Sequence, residues 1–281
     1  MRSVIIAAAI IMTACSWEPG DGAMVEKTPV QESPATAASA DKTAGTEKTG
    51  IYIARGSFSG GESLDGRDVY RIGWSARDEF ERIEIDIRKG RWDGRGSGDS
   101  TGAPCRFTVS REDFPARLLV LVNGTRMFSA GPPEIAPGGL VEGFYRIVYL
   151  DDAGSMFAFD VDADTEFEVF ETCDPARIVI DVRGVHAGSR SGPQEAFSLR
   201  SLSWRPGEGP GHFEERLLRA GAERTRILRD DAGDFCVEEG WYATRDEAEK
   251  RQEIFGGKGI ALFIEERGIG DIPRHMTSGH K

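Results

Sequence analysis

Histidine is scarce in this chain: His186, His212, His275 and His280 are the only four in 281 residues, and none stands at metal-ligand spacing to another His, a Cys or a carboxylate cluster. The catalytic fingerprints legible in a single sequence are missing as well, with no G-x-S-x-G elbow, no P-loop and no dinucleotide-binding glycine run. Acidic pairs are plentiful, but in so acidic a chain nothing isolates an acid/base couple. The expectation is a protein that is not an enzyme and uses no metal or cofactor. Basic charge is in deficit, 35 Lys and Arg against 47 Asp and Glu, for a net charge of −12. Nucleic acid and anionic lipid both require a basic field, so neither is expected as the main partner. After the N-terminus no run is long and apolar enough to span a bilayer.

The 281 residues suffice for about two domains of ~100–150 residues. The chain opens with Met1-Arg2, an apolar run over 4–12, and Met12-Thr13-Ala14-Cys15. Small residues before a cysteine resemble a bacterial lipoprotein signal. That resemblance implies a signal peptide at 1–14, lipidation of Cys15 and a place in the cell envelope. Ser16, in a position where Asp would retain the protein, implies transfer to the outer membrane, facing the periplasm. Acyl chains contributing ~0.8 kcal/mol per methylene would make this membrane anchor almost permanent. Residues 15–50 are rich in Pro, Ala, Thr, Ser, Glu and Lys and poor in large apolar side chains, so they are expected as a disordered tether.

Between 51 and 185 short runs alternate at a period of two, at 69–74, 80–88, 107–109, 117–123, 145–150, 157–161, 167–170 and 177–182. Gly, Pro and Asp clusters separate them, which predicts an all-β sandwich. The stretch 167–184, FEVFETCDPARIVIDVRG, reads as strand, proline corner and strand, and its pattern recurs sixty positions earlier at 107–124, FTVSREDFPARLLVLVNG. The close in "RIVIDVRG" resembles that of an AMIN domain, a β-sandwich of cell-envelope proteins that binds or localises to peptidoglycan. Arg177 is read as holding the corner's carbonyls with its donor fork, or else as a functional residue. Asp160, Asp162 and Asp164 have the spacing of a calcium loop, but Thr165 stands where that loop needs glycine, and alternating acids on a wet strand face explain them equally. Export would place the thiols in an oxidising compartment, where Cys105 and Cys173 could pair within the β-domain and leave Cys236 free.

After a joint at 186–195 the pattern changes. A strand at 197–204, a helix at 212–220, strands at 224–228 and 234–242, a helix opened by the capping box Thr244-Arg-Asp-Glu247, and a last strand at 260–265 give βαββαβ over 196–270. That order predicts a ferredoxin-like module, a four-stranded antiparallel sheet with both helices on one face. Residues 271–281 are expected as a disordered tail. The second half, FCVEEGWYATRDEAEKRQEIFGGKGIALFIEE, resembles a SPOR domain, which implies binding of peptidoglycan glycan strands on the open sheet face. Phe235 and Val237 should face the helices, leaving Cys236 and Glu238 on the open side. Arg200, Ser203, Trp204, Glu238 and Trp241 are the candidate contacts, with indole rings to cover sugar faces and Arg200 to meet a carboxylate. The alternative is that both tryptophans close the small core and Arg200 is a solvated charge.

Together these readings predict a lipid-anchored, non-catalytic envelope protein that binds peptidoglycan in cell-wall organisation or division. The alternatives are an assembly protein whose β-domain docks on a secretin-, amidase- or division-associated partner, and an accessory to a cell-wall hydrolase.

Overall fold

Period-two alternation lays down most of the architecture. The computed structural model describes residues 40–91, 98–185 and 195–277, so the expectations for the signal peptide, Cys15, the tether up to residue 39, most of the joint at 186–195 and positions 278–281 lie outside the described residues. In the first part the strands are β1 (Ala40–Thr43), β2 (Gly56–Gly60), β3 (Arg67–Ala76), β4 (Glu81–Lys89), β5 (Phe107–Glu112), β6 (Arg117–Asn123), β7 (Thr125–Phe128), β8 (Val141–Ile147), β9 (Gly154–Val161), β10 (Thr165–Thr172) and β11 (Arg177–Gly184). One sheet has the order β1-β2-β5-β6-β9-β8 and the other β10-β11-β4-β3-β7. Alternate residues of both face a common core, including Ile83, Ile85 and Ile87 of β4, Val120 and Val122 of β6, Phe157 and Phe159 of β9, and Ile178, Ile180 and Val182 of β11. Two facing sheets with one shared core realise the sandwich that the alternation predicts.

The repeated stretches become two hairpins, one in each sheet. In β5–β6 Glu112 pairs with Arg117, and in β10–β11 Thr172 pairs with Arg177, so each corner spans four residues with Pro-Ala at the same two places. Phe114-Pro115 and Asp174-Pro175 are both cis, with Phe114 at φ 57° and Asp174 at φ 49°. The hairpins β3–β4 and β8–β9 complete the pattern crosswise, because β9 pairs with β6 while β4 pairs with β11. Each half of the sandwich therefore sends one hairpin into each sheet.

Residues 40–50, assigned by composition to the tether, are folded onto the sandwich instead. Strand β1 adds in parallel to β2, Glu171 N donates to Gly45 O at 2.9 Å, and Ile53 exchanges two 2.9 Å backbone bonds with Phe167. Strand addition uses backbone donors and acceptors, which every residue but proline carries whatever its side chain, and 40–50 contains no proline.

The second part follows as β12 (Glu195–Arg200), α1 (Gly209–Arg219), β13 (Arg226–Arg229), β14 (Phe235–Tyr242), α2 (Arg245–Gly256) and β15 (Phe263–Gly268). Its sheet has the order β13-β14-β12-β15 and every pairing is antiparallel. Leu217 of α1 and Phe255 of α2 share a cluster with Leu199 and Val237, which puts both helices on one face. The capping box forms: Glu247 N donates to Thr244 Oγ1 and Thr244 N to the Glu247 carboxylate, each at 3.3 Å.

This module does not hang from a linker alone. Tyr145 and Ile147 of β8 and Ala158 of β9 join the same apolar cluster, and the rings of Tyr145 and Phe235 lie 6.1 Å apart. Arg117, 1% exposed, donates to Glu112 at 2.7 Å, to Tyr145 Oη at 2.8 Å and to Ile227 O at 2.7 Å. Burial by itself would disfavour the Arg117 charge; the Glu112 carboxylate and the Tyr145 hydroxyl outweigh it and raise the guanidinium above its ordinary value.

Candidate binding site

The sheet face of the C-terminal module opposite the helices carries Ser198 and Arg200 from β12, Glu238 from β14, and Glu265 and Arg267 from β15, all of them buried. Glu238 accepts from Ser198 Oγ at 2.5 Å and from Arg226 Nε at 2.9 Å, and Arg267 also bonds it. Burial would raise the Glu238 carboxyl, but Arg226 and Arg267 beside it overcome this and hold it below the usual range. Arg200 donates to Glu265 at 2.5 Å, to Ser201 O at 3.2 Å and to Arg274 O at 2.5 Å. These bonds account for the polarity of a sheet face that was expected to be open.

Two elements cover that face. The corner before Pro115 supplies Phe114, which packs with Ala196, Ile269 and Trp241, while Arg226 donates to Asp113 O at 2.6 Å and Phe114 O at 3.0 Å. The tail supplies the rest. Arg274 N donates to Glu265 at 2.9 Å, His275 N to Asp231 at 2.7 Å, and Met276 N to Ser203 Oγ at 2.9 Å. Residues 271–277 are thus ordered, against the expectation of disorder, because carboxylates and a hydroxyl of the module satisfy their backbone.

The five candidate contacts do not converge on one exposed surface. Arg200 and Glu238 are fully buried in the ionic network, so neither is a sugar contact nor, for Arg200, a solvated charge. Trp241 lies against Phe114, ring centres 4.9 Å apart, and Ser203 binds the tail. Trp204 remains 38% exposed, with its ring 5.8 Å from Phe213. Sequence pattern places a side chain on a face but does not reveal what comes to lie over that face.

The other candidates resolve similarly. Cys105 and Cys173 are both free, with no disulfide between them: Cys105 is buried in the sandwich core and Cys173 is exposed at the Pro175 corner. Burial pushes the thiols of Cys105 and Cys236 up to about 11. Arg177 turns from its corner towards β4, 2.7 Å from Asp86 and 3.5 Å from Glu84, and Thr172 Oγ1 serves the Pro175 carbonyl at 3.0 Å. Asp160 pairs with Arg229 at 3.1 Å and Asp162 accepts from Asp164 N at 2.7 Å. Among the described residues no cluster of His, Cys, Asp and Glu could hold a metal ion.

An open cleft lies on the second sheet, where the segment 48–52 crosses the outer ends of β4, β10 and β11. Its volume is about 690 Å³, and Lys48, Tyr52, Glu79, Phe80, Glu166 and Arg183 line it. The segment is held as a strap. Glu168 accepts from Thr49 N at 2.6 Å, Thr49 Oγ1 at 2.8 Å and Gly50 N at 2.8 Å. Lys48 bonds Asp181 at 2.6 Å with its ammonium 3.7 Å from the Phe80 ring centre. Partial burial would lower the Lys48 charge; the bond to Asp181 more than offsets that and raises it above its ordinary value. Arg82 grips the same Asp181 in a fork at 2.7 and 2.9 Å. Arg183 lies 3.9 Å over the Tyr52 ring and bonds Glu166 at 2.5 Å. The arrangement offers aromatic surface bordered by both signs of charge in a recess of small-ligand size, ~300–1,000 Å³. Sequence reading missed it because the strap fell at the join between assigned tether and domain; the Ile51-Tyr52-Ile53 triplet was the available signal.

Comparison with protein-family models, curated proteins and solved structures finds no match to this chain.

Proposed function

We propose that the protein is a non-catalytic binding protein of the bacterial cell envelope, moored through lipidated Cys15, that takes peptidoglycan in the cleft beneath the 48–52 strap. The observation carrying the binding half of this reading is the cleft itself, with Tyr52 and Phe80 beside Lys48, Arg183, Glu79 and Glu166. Flat rings match the C–H surface of sugars and peptide, and the flanking charges fix orientation. The envelope half is supported by the lipoprotein-like start at 1–15 and the AMIN-like corner at 167–184. Ligand contact through the SPOR-like face is not proposed, because Arg200 and Glu238 are consumed in the buried network.

Sedimentation of the soluble chain with purified, protein-free sacculi tests the reading. Tyr52→Ala with Phe80→Ala should lower the bound fraction about tenfold, the loss of two aromatic contacts of ~0.5–1.5 kcal/mol each, whereas Trp204→Ala should leave it unchanged. A wild-type chain that stays in the supernatant would return the protein to the class of assembly factors that bind another envelope protein.

A further inference from the structure

We infer that the cleft grips a short peptide bearing both a free carboxylate and a free ammonium, so that in the wall its ligand is the stem peptide and not the sugar backbone; this rests on the cell-wall reading above. The charges around the recess have capacity to spare. Among the described residues Arg183 engages Glu166 through Nε, which leaves its two terminal nitrogens as a fork beside the Tyr52 ring. Lys48 is already engaged, its ammonium directed at Asp181 and Tyr52 and lying 3.7 Å from the Phe80 ring centre, so it adds positive potential to the recess and no free donor. Glu79, exposed at the rim, makes no hydrogen bond or ion pair among the described residues. A paired guanidinium nitrogen edge suits a carboxylate, and a solvated, unengaged carboxylate suits an ammonium.

The sugar chain supplies neither group. Where a stem peptide is attached, the lactyl carboxyl of the sugar is tied up as an amide, so the backbone is uncharged there. The stem itself brings a carboxylate at its end and an amine on its diamino residue. A recess of about 690 Å³ admits a few residues of such a peptide. The ring surface that Tyr52 and Phe80 present to the recess then lies against its aliphatic carbons while the charged ends reach Arg183 and Glu79.

The test uses the full soluble chain with three probes: intact sacculi, sacculi stripped of stem peptides by an amidase, and a synthetic stem tetrapeptide with its side-chain amine free or acetylated. Stripped wall should retain at most a tenth of the protein bound by intact wall, and the free tetrapeptide should displace the chain from intact wall. Acetylation of the amine and Glu79→Gln should each weaken tetrapeptide binding at least fivefold, and combining them should add nothing further. Arg183→Ala should weaken both forms of the tetrapeptide equally, with thermal melting confirming that each variant is folded. Equal binding to stripped and intact wall would overturn the peptide assignment and leave the cell-wall reading standing. Tetrapeptide affinity indifferent to both acetylation and Glu79→Gln would overturn it too. Binding to neither wall would overturn both readings.

Discussion

Glu238 sits where Ser198, Arg226 and Arg267 meet, with none of its surface exposed. Removing its carboxylate leaves Arg226 and Arg267 buried beside one another with only the more distant Glu112 and Glu265, at 3.6 and 3.7 Å, as counter-charges, so Glu238→Ala should cost about 3 kcal/mol or more in urea unfolding. The same group gives the molecule an acid limit. Its folded value lies below the ordinary 4.5, so its stabilisation is complete above that pH and disappears as pH falls through the folded value. Unfolding free energy measured between pH 6 and about pH 3 should therefore decline, and Glu238→Gln should flatten part of that decline. Glu112, held down in the same way by Arg117 and Arg226 against the upward push of its burial, supplies a share that survives the substitution. At this scale the sequence was a partial guide. It put Glu238 and Arg200 on the correct face of the sheet, but each residue's meaning depends on the Phe114 corner, 86 residues before Arg200, and on the tail, whose Arg274 lies 74 residues after it.

Among the elements, the paired hairpins were the most legible, because the repeat at 107–124 and 167–184 is written in residue types whose spacing survives folding. The matching glycines that close them are not equivalent. Gly124 has φ +79° and a Cβ there would meet Leu64 O at 1.8 Å, whereas at Gly184 the nearest atom would be Leu140 Cδ2 at 3.8 Å. Gly124→Ala should then cost about 3 kcal/mol or more and Gly184→Ala under about 0.5 kcal/mol, both read from chemical denaturation. Equal costs would show that the two closures do the same work. The stretch 40–52, β1 and the strap that follows it, was the least legible. Ala44 is the one buried apolar residue between 42 and 50, and the rest of the segment is fixed by Glu168, Asp181 and the β2 backbone, none of which its own composition reveals. The module's strands and helices were readable to within a few residues. Strand β12 stops at Arg200, short of the expected 204, where its pairing with β14 has already slipped register after Leu199.

The molecule as a whole joins what the sequence presents as two separate parts. Tyr145, Ile147 and Ala158 share apolar contacts with Ile227 and Phe235, and Arg117 bonds across the same boundary. The prediction is a single calorimetric transition in which calorimetric and van't Hoff enthalpies agree; two resolved peaks would show that the boundary is only adhesive. The crosswise hairpins carry a further consequence, for how the sandwich is put together in time. Since β6 must find β9 and β4 must find β11, neither half owns a complete sheet, and little of the core can close until synthesis has passed Gly184. A backbone cut at the exposed Gly131-Pro132 bond should yield two fragments whose sandwich strands are unpaired when the pieces are separate and form β-structure only when they are mixed, as the gain in circular dichroism over the sum of the separate spectra would report. The repeat thus makes the two halves obligate partners, a dimer written on one chain.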